Sequence, residues 1–401
     1  MGKLAHFELA DWVESQSPKA SLALAGSATP GLSISDLISL SSDADATKDA
    51  LSIANLQLTL GSDVGSPALR SAIAALYQGD GQEITHENVI TANGTTGANL
   101  NVLYSLLHAY DHVICAYPIY TQLLNLPRAQ GCEVSLWRLK KDDQWSLSIK
   151  DLEGLIKSNT KALIINSPNN PTGSHLDRQK QLEILDVASR HNIIVVADEI
   201  FRPLFHGLPG QDTPPPAPSF VKHDYKRVVV TGSLSKAWGL TGARMGWIVS
   251  RDQSLLREFT NTRMYTSEAP GTIDEVIATE ALSDRCRPSI IQRHLSYAKE
   301  NLASLDAFVA KNKDRCQWTR PTAGATAFVQ FLSSTGDPAD DVEFCNALLD
   351  TKGVLLSPGS LCFADKGDMG FKGFVRVHFT VPPAKMKESL EKIDDFLKST
   401  R

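Results

Sequence analysis

The hydrophobic pattern along the middle of the chain predicts short buried strands that alternate with amphipathic helices. Several of the predicted strands are continuous apolar runs, as expected for strands covered on both faces. They comprise residues 112–116, 133–136, 162–166, 193–197, 227–231 and 245–249. Helical patterns lie between them, among them residues 67–77 and 178–190, for which Ser66 and Asp177 are the predicted N-caps. This alternation predicts an α/β fold with a mainly parallel sheet between helices.

The pattern changes near residue 290. A long helical pattern is followed by short β segments around residues 325–331 and 373–380, and then by a final amphipathic helix. These elements predict a smaller α+β domain over residues 290–401, beside a large domain over residues 51–289. A chain of 401 residues is too long for one ordinary core, so two domains are expected. Residues 1–50 are too few for a third domain, and we expect them to pack on the small one.

Composition and charge exclude several classes of protein. The hydrophobic content of 42% and the charged content of 21% are those of a soluble globular protein. The net charge of −5 comes from scattered charges without a basic stripe, so no nucleic-acid partner is expected. The six cysteines form no CxxC pair, which favours a reduced protein without a structural metal. No apolar run has the length of a signal peptide or a membrane span, so we expect a cytoplasmic location.

The segment around Lys236 combines a lysine, small hydroxyl residues and an arginine directly after a predicted strand. A lysine that is partly desolvated near other cations has a lowered pKa, which leaves the neutral amine that an aldehyde requires. Ser233, Ser235 and Arg244 are suitable phosphate ligands, and the arginine can bind through a bidentate fork. The alternative is a surface lysine and arginine that flank a glycine-rich turn.

Polar residues also follow two other predicted strands. Asp198 comes directly after the run 193–197, at the end of a parallel strand where α/β folds bind ligands. A carboxylate there can pair with a pyridinium nitrogen, although an N-cap of the next helix is the alternative. Asn170 lies in a proline-rich turn after the run 162–166 and can donate to a ligand oxygen; a plain turn is the alternative.

Three further positions are candidates for ligand contacts. Gly94, Thr95 and Thr96 precede a predicted helix and offer backbone N–H groups and hydroxyls to a phosphate at its N-terminus. Tyr120 follows a strand and supplies an aromatic face, unless it is a core residue. Arg376 lies in a β run of the small domain, where a buried charge needs a partner such as a substrate carboxylate.

In this order and spacing, the six motifs resemble the class I/II aminotransferases of pyridoxal-5′-phosphate (PLP) fold type I, over roughly residues 20–400. The resemblance implies a large domain with a mostly parallel seven-stranded sheet flanked by helices, a smaller α+β domain, and homodimers with active sites at the subunit interface. It also implies PLP as cofactor and an α-amino acid as substrate. By this resemblance, Lys236 forms the Schiff base and acts as general acid and base, and Asp198 pairs with the ring nitrogen. Asn170 binds the phenolic oxygen and Tyr120 stacks on the ring. The phosphate is held by Gly94, Thr95, Thr96, Ser233 and Arg244, and Ser235 is a further cofactor-binding candidate. Arg376, with Asn170 and Gly26, binds the substrate.

Two tyrosines of that family are replaced here. Phe201, counted among the cofactor-binding residues, stands three residues after Asp198, where the family usually has a tyrosine that bonds the phenolic oxygen. Leu60 stands where a tyrosine commonly reaches the phosphate of the partner subunit. One interpretation is drift in an ordinary aminotransferase. The other is a site changed away from simple transamination.

Three short N-terminal segments, residues 7–12, 22–27 and 32–37, are similar to one branch of the family. This branch includes capreomycidine synthase and related enzymes that cyclise or oxidise L-arginine in natural-product pathways. Glu8, Asp11 and Glu14 are i/i+3 neighbours on a predicted helix. One hypothesis is that one of them binds a cationic substrate end; a solvated acidic face is the alternative.

Three functions are therefore compatible with the sequence. The first is transamination between an amino acid and a 2-oxo acid. The second uses the same Cα deprotonation for cyclisation, elimination or oxygen-dependent oxidation of an amino acid such as L-arginine. The third is a PLP-binding module without catalysis, which the presence of Lys236, Asp198 and Arg376 disfavours.

Overall fold

A computed structural model describes residues 3–209 and 216–400. In this part of the chain the strands are β1 Leu22–Ala23, β2 Val89–Asn93, β3 His112–Tyr117, β4 Glu133–Arg138, β5 Thr160–Asn166, β6 Ile194–Asp198, β7 Val228–Ser233, β8 Met245–Ser250, β9 Cys316–Trp318, β10 Thr326–Phe331, β11 Val354–Leu355, β12 Ser357–Pro358 and β13 Phe374–His378. The helices are α1 Glu8–Gln16, α2 Ile34–Leu40, α3 Ala44–Ala50, α4 Pro67–Ala74, α5 Gly94–Leu106, α6 Thr121–Ala129, α7 Ile149–Leu155, α8 Arg178–Arg190, α9 Gln253–Met264, α10 Thr272–Ala281, α11 Arg287–Lys311, α12 Asp341–Lys352, α13 Gly359–Cys362 and α14 Pro383–Ser399.

The large domain contains a seven-stranded sheet in the order β2-β8-β7-β6-β5-β3-β4. Strand β8 runs antiparallel to both of its neighbours, and the other adjacent pairs are parallel. The predicted α/β class and the mostly parallel seven-stranded sheet are therefore confirmed. The strand pattern missed β2, whose short apolar run is interrupted by Thr91 and Asn93.

Both faces of the central strands are buried, which explains why these strands are mostly apolar. In β6, Ile194 and Val196 belong to one core cluster, while Val195 and Ala197 belong to the cluster on the opposite face. Alternate residues of a strand point to opposite faces, so a strand covered by helices on both sides has no polar position. The helix caps follow the sequence as well, since the Asp177 side chain accepts the Lys180 N–H at the start of α8.

The small domain is built on an antiparallel sheet of order β12-β13-β10-β9, packed against α11, α12 and α14. The start of the chain joins this domain: β1 pairs with β11, and the Trp12 indole of α1 donates to the Leu356 carbonyl at 2.8 Å. Helices α2 and α3 differ from the expectation for residues 1–50. They contact α10 and the start of α11, with the Thr47 hydroxyl 2.5 Å from Glu280, because their apolar side chains face the large-domain core.

Among the described residues, none of the helices is both long enough and apolar enough to span a bilayer.

Candidate active site

The site lies where the carboxyl ends of parallel strands meet. Strand β2 ends before Gly94, β5 ends at Asn166, β6 at Asp198, and β7 precedes Lys236. Parallel strands bring these ends to one edge of the sheet, beside the small domain. A cavity of about 360 Å³ opens there. The residues predicted from sequence that line it are Gly26, Thr95, Thr96, Tyr120, Asn170, Asp198, Phe201, Ser235, Lys236, Arg244 and Arg376.

Lys236 follows β7 on a loop that the N-terminal segment holds in position. Both the backbone N–H and the hydroxyl of Thr29 donate to the Lys236 carbonyl, at 3.1 and 2.7 Å. Burial and, to a smaller extent, the charge of Arg376 lower the pKa of the Lys236 amine to about 8, against the opposing effect of Asp198. A substantial fraction of the amine is therefore neutral near pH 7–8, which suits it to react with an aldehyde.

Asp198 is a buried carboxylate held by two donors. Its Oδ2 accepts from Asn99 Nδ2 at 3.0 Å, and its Oδ1 accepts the Ile200 N–H at 3.0 Å. The Thr231 hydroxyl donates to Asn99 Oδ1 at 2.7 Å, so the amide of Asn99 can only present its N–H groups to the carboxylate. Burial raises the pKa of Asp198 to about 6, which leaves it ionised at neutral pH. Such a carboxylate fits a protonated ring nitrogen.

Arg376 brings a buried cation from the small domain to the same cavity. Its guanidinium donates through NH1 to Asn170 Oδ1 at 3.0 Å and through NH2 to the Ala25 carbonyl, while Nε has no partner. Burial lowers the pKa of Arg376 to about 10, so the group stays charged at neutral pH. Within residues 3–209 and 216–400 it forms no ion pair. A buried arginine of this kind suits a carboxylate ligand.

The remaining candidates surround the N-terminus of α5. Gly94 has φ +66°, a conformation that favours glycine, and without a side chain there Arg244 NH2 lies close to the backbone of residue 94. The Thr95 hydroxyl is buried and has no hydrogen-bond partner. Free backbone N–H groups, this hydroxyl and an adjacent guanidinium together suit a phosphate. The residues present therefore fit PLP at its phosphate, its ring nitrogen and its aldehyde.

One candidate, Ser233, lies away from this cavity, whereas Phe201 lies in it. Ser233 does not line this cavity: its hydroxyl accepts the Ser235 N–H at 3.1 Å, and it borders a separate cavity beside Trp238. Residue 233 is the last residue of β7, and its buried side chain borders that second cavity instead. Phe201 does line the cavity and is 2% exposed.

Sequence reasoning missed several residues of the site. Asn166 bonds the Asp198 carbonyl at 3.0 Å and accepts the Asn170 N–H at 2.8 Å; a polar residue at the end of an apolar run was the signal for it. Asn99 carried no signal, because an asparagine inside a helical pattern is usually exposed. Helix α1 also contributes to the cavity, through Phe7, Leu9, Ala10, Val13 and Glu14.

This fold and site define an enzyme scaffold of PLP fold type I. The sequence model of the family described as "Aminotransferase class I and II" matches residues 32–393, so the chain belongs to that family and its cofactor is PLP. This membership makes the protein an enzyme and removes the interpretation as a non-catalytic module.

Individual relatives have different activities. Capreomycidine synthase of Streptomyces vinaceus is 27% identical over 390 residues, which cover 97% of this chain and 93% of the relative. Aspartate aminotransferase of Thermotoga maritima is 27% identical over 325 residues, covering 79% of this chain and 78% of that one. A solved PLP-dependent aminotransferase from Streptococcus suis superposes with a TM-score of 0.87 at 32% identity, covering 100% of this chain and 99% of the other.

Proposed function

We propose that the protein is an aminotransferase, which exchanges an amino group between an α-amino acid and a 2-oxo acid. One observation carries the proposal: Lys236, Asp198 and Arg376 line the same cavity, with pKa values that favour a partly neutral amine, an ionised carboxylate and a charged guanidinium. The bound cofactor supplies an electron sink for the electrons left at the substrate Cα when its proton is removed.

Each of these residues has a distinct proposed role. The Lys236 amine, once displaced by the substrate amine, would take the proton from Cα and deliver it to the carbon of the cofactor that had carried the aldehyde. Asp198, oriented by Asn99, keeps the ring nitrogen protonated, and Arg376 orients the substrate through its α-carboxylate. Asn170 contacts Arg376 directly, so it can position the carboxylate and also donate to the phenolic oxygen.

Transamination is tested by a single-turnover assay on the PLP-loaded protein. Each of the common amino acids is added without a 2-oxo acid acceptor, and cofactor absorbance, keto acid, ammonia, hydrogen peroxide and cyclic products are followed. Transamination requires the amine form of the cofactor together with one equivalent of keto acid. Ammonia, peroxide or a cyclic product without the amine form would instead show that the second candidate is correct.

The second candidate is cyclisation or oxidation of an amino acid with a cationic side chain, and one feature of α1 favours it. Of the three acidic residues on this helix, Glu14 lines the cavity, Glu8 borders a different groove, and Asp11 lies 3.7 Å from His6 at the surface. A carboxylate at the rim can bind the guanidinium or ammonium end of a long substrate. Capreomycidine synthase, a relative over nearly the whole chain, adds support.

We expect Glu14→Gln to weaken L-arginine binding roughly fivefold, since an ion pair with partial solvent access contributes about 1 kcal/mol. Binding of L-norleucine, which has a similar length and no charge, should not change. The measurement is a titration of the cofactor absorbance with each amino acid. Asp11→Asn removes a charge from the same helix outside the cavity and is the matched control. Equal arginine affinity in the Glu14 variant and the wild type would exclude this residue as the cation site.

We also propose a homodimer. Exposed apolar side chains cluster around the α5–α9 contact, where the Ser105 and Thr262 hydroxyls are 2.7 Å apart. Gly61 lies beside the Pro270 carbonyl, so the segment that carries exposed Leu60 adjoins the same surface. The exposed residues are Leu58, Leu60, Leu100, Tyr104, Met264 and Tyr265. Several large exposed apolar side chains on neighbouring elements support an interface here. Sedimentation at micromolar concentration should give a dimer, and Tyr104→Glu with Met264→Glu should shift it towards the monomer.

A further inference from the structure

His378 lies next to the cavity, but neither the motifs nor the proposed roles use it. It ends strand β13, two residues after Arg376, so both side chains project from the same face of the small-domain sheet. Its backbone N–H donates to the Leu24 carbonyl at 2.9 Å, while Arg376 NH2 donates to the Ala25 carbonyl. The two residues therefore hold the N-terminal segment just before Gly26, which lines the cavity.

The hydrogen bonds of His378 determine which ring nitrogen carries the proton. His378 Nε2 lies 2.7 Å from the hydroxyl of Thr380, which is fully buried. In the described part of the chain this hydroxyl has no other partner, so its proton is satisfied only if it donates to Nε2. Nε2 then accepts, and the ring proton is on Nδ1.

The Nδ1–H group points towards Gly26. A Cβ at residue 26 would lie 3.6 Å from Nδ1, an ordinary contact, so the missing side chain of Gly26 leaves Nδ1 reachable from the cavity. Nδ1 forms no hydrogen bond within residues 3–209 and 216–400. A donor without a protein partner, next to Arg376, is available to a ligand.

Resting on the proposed function, we propose that His378 is a positioning residue for the substrate, with Nδ1–H donating to the carboxylate that Arg376 binds. The carboxylate has more lone pairs than the guanidinium fork uses, so one oxygen can accept a third hydrogen bond. This third hydrogen bond restricts rotation of the carboxylate more than the guanidinium fork of Arg376 does alone. It therefore also fixes the direction of the other bonds at Cα.

The environment keeps this imidazole neutral. Burial lowers the pKa of His378 to about 3, and the charges of Arg376, Lys236 and Lys385 act in the same direction. The residue therefore adds a hydrogen-bond donor to the carboxylate site without adding a positive charge to those of Arg376 and Lys236. A lysine or arginine at this position would lower the pKa of Lys236 further and compete for the carboxylate.

The test uses the PLP-loaded protein and two matched amines. The first, 2-aminoisobutyrate, has a carboxylate but no α-hydrogen, so it binds without further reaction. The second, isopropylamine, has the same carbon skeleton without the carboxylate. His378→Gln places its amide near the Nε2 position and loses the Nδ1 donor, whereas His378→Asn keeps a donor near Nδ1. We expect the Gln variant to bind 2-aminoisobutyrate about tenfold more weakly, with the Asn variant close to wild type.

Isopropylamine binding should be the same in all three proteins. Equal 2-aminoisobutyrate affinity in wild type and the Gln variant would overturn the inference, and so would an equal loss for both amines, which indicates a structural role. Gly26→Ala, whose methyl group would cover Nδ1 without backbone strain, should reproduce the selective loss if the Gln variant does not fold. If the wild type shows no spectral change with any amino acid, the proposed function itself fails, independently of His378.

Discussion

Replacement of Lys236 by alanine should remove the yellow chromophore of the PLP-loaded protein and reduce kcat by about 10³-fold. The side chain is the only lysine amine lining the cavity in the described residues, and its pKa of about 8 makes it the amine suited to bind the aldehyde. Both effects are measured on purified protein, by absorbance after incubation with PLP and by single-turnover kinetics with the best amino acid of the screen.

Lys222 provides the matched control for this prediction. It is also a buried lysine with a pKa lowered by burial, but it borders a different cavity. Lys222→Met should therefore retain both the chromophore and the activity. A Lys236→Ala protein that keeps its yellow colour would mean that another amine binds the cofactor.

Asp198→Asn should lower kcat by about 10²- to 10³-fold while the protein still binds PLP. Removal of one partner of a buried charge pair costs about 3–5 kcal/mol, and here the lost partner is the one that keeps the ring nitrogen protonated. The amide is similar in shape to the carboxylate, so the hydrogen bond with the Ile200 N–H can persist. Single-turnover rates measure the loss of activity, and the cofactor spectrum measures whether PLP is still bound.

Glu199 is a demanding control because it adjoins Asp198, is equally buried and has a pKa that burial also raises. It lines the separate cavity beside Trp238, and its Oε1 accepts the Phe220 N–H at 2.9 Å. Glu199→Gln should leave the chemistry of the bound cofactor unchanged.

A cofactor analogue methylated at the ring nitrogen carries a permanent positive charge, so it should partly restore the activity of the Asp198→Asn protein. Failure of the analogue to restore any rate would argue that Asp198 acts through something other than the ring charge.

The reaction that follows Cα deprotonation depends on which groups line the cavity besides Lys236, Asp198 and Arg376. Phe201 offers no hydroxyl to the cavity, and α1 contributes Glu14 at its rim. Neither feature is needed for the roles proposed for Lys236, Asp198 and Arg376 in transamination. The family and the Streptococcus suis structure, in contrast, are those of aminotransferases. The single-turnover assay and the Glu14 variant therefore test two independent aspects of the same cavity.

Local sequence determined most of the scaffold and much of the site. The strand patterns recovered six of the seven strands of the large sheet, because a strand buried on both faces must be apolar throughout. The position of Asp198 at the end of such a run was enough to predict a ligand group, since parallel strands present their carboxyl ends at one edge. Helix α8 and its Asp177 cap were predicted to the residue, because capping is a local interaction.

Only the tertiary structure decided which distant residues meet. Arg376 bonds Asn170 across 206 residues of sequence, the His378 N–H bonds the Leu24 carbonyl, and α1 reaches the cavity from the start of the chain. The position of Ser233 at the second cavity, and not at the first, is also a result of the tertiary structure. These contacts arise from domain packing and from side-chain direction at strand ends, and neither leaves a periodic signal in the sequence, because periodicity reports burial and not the identity of the neighbour.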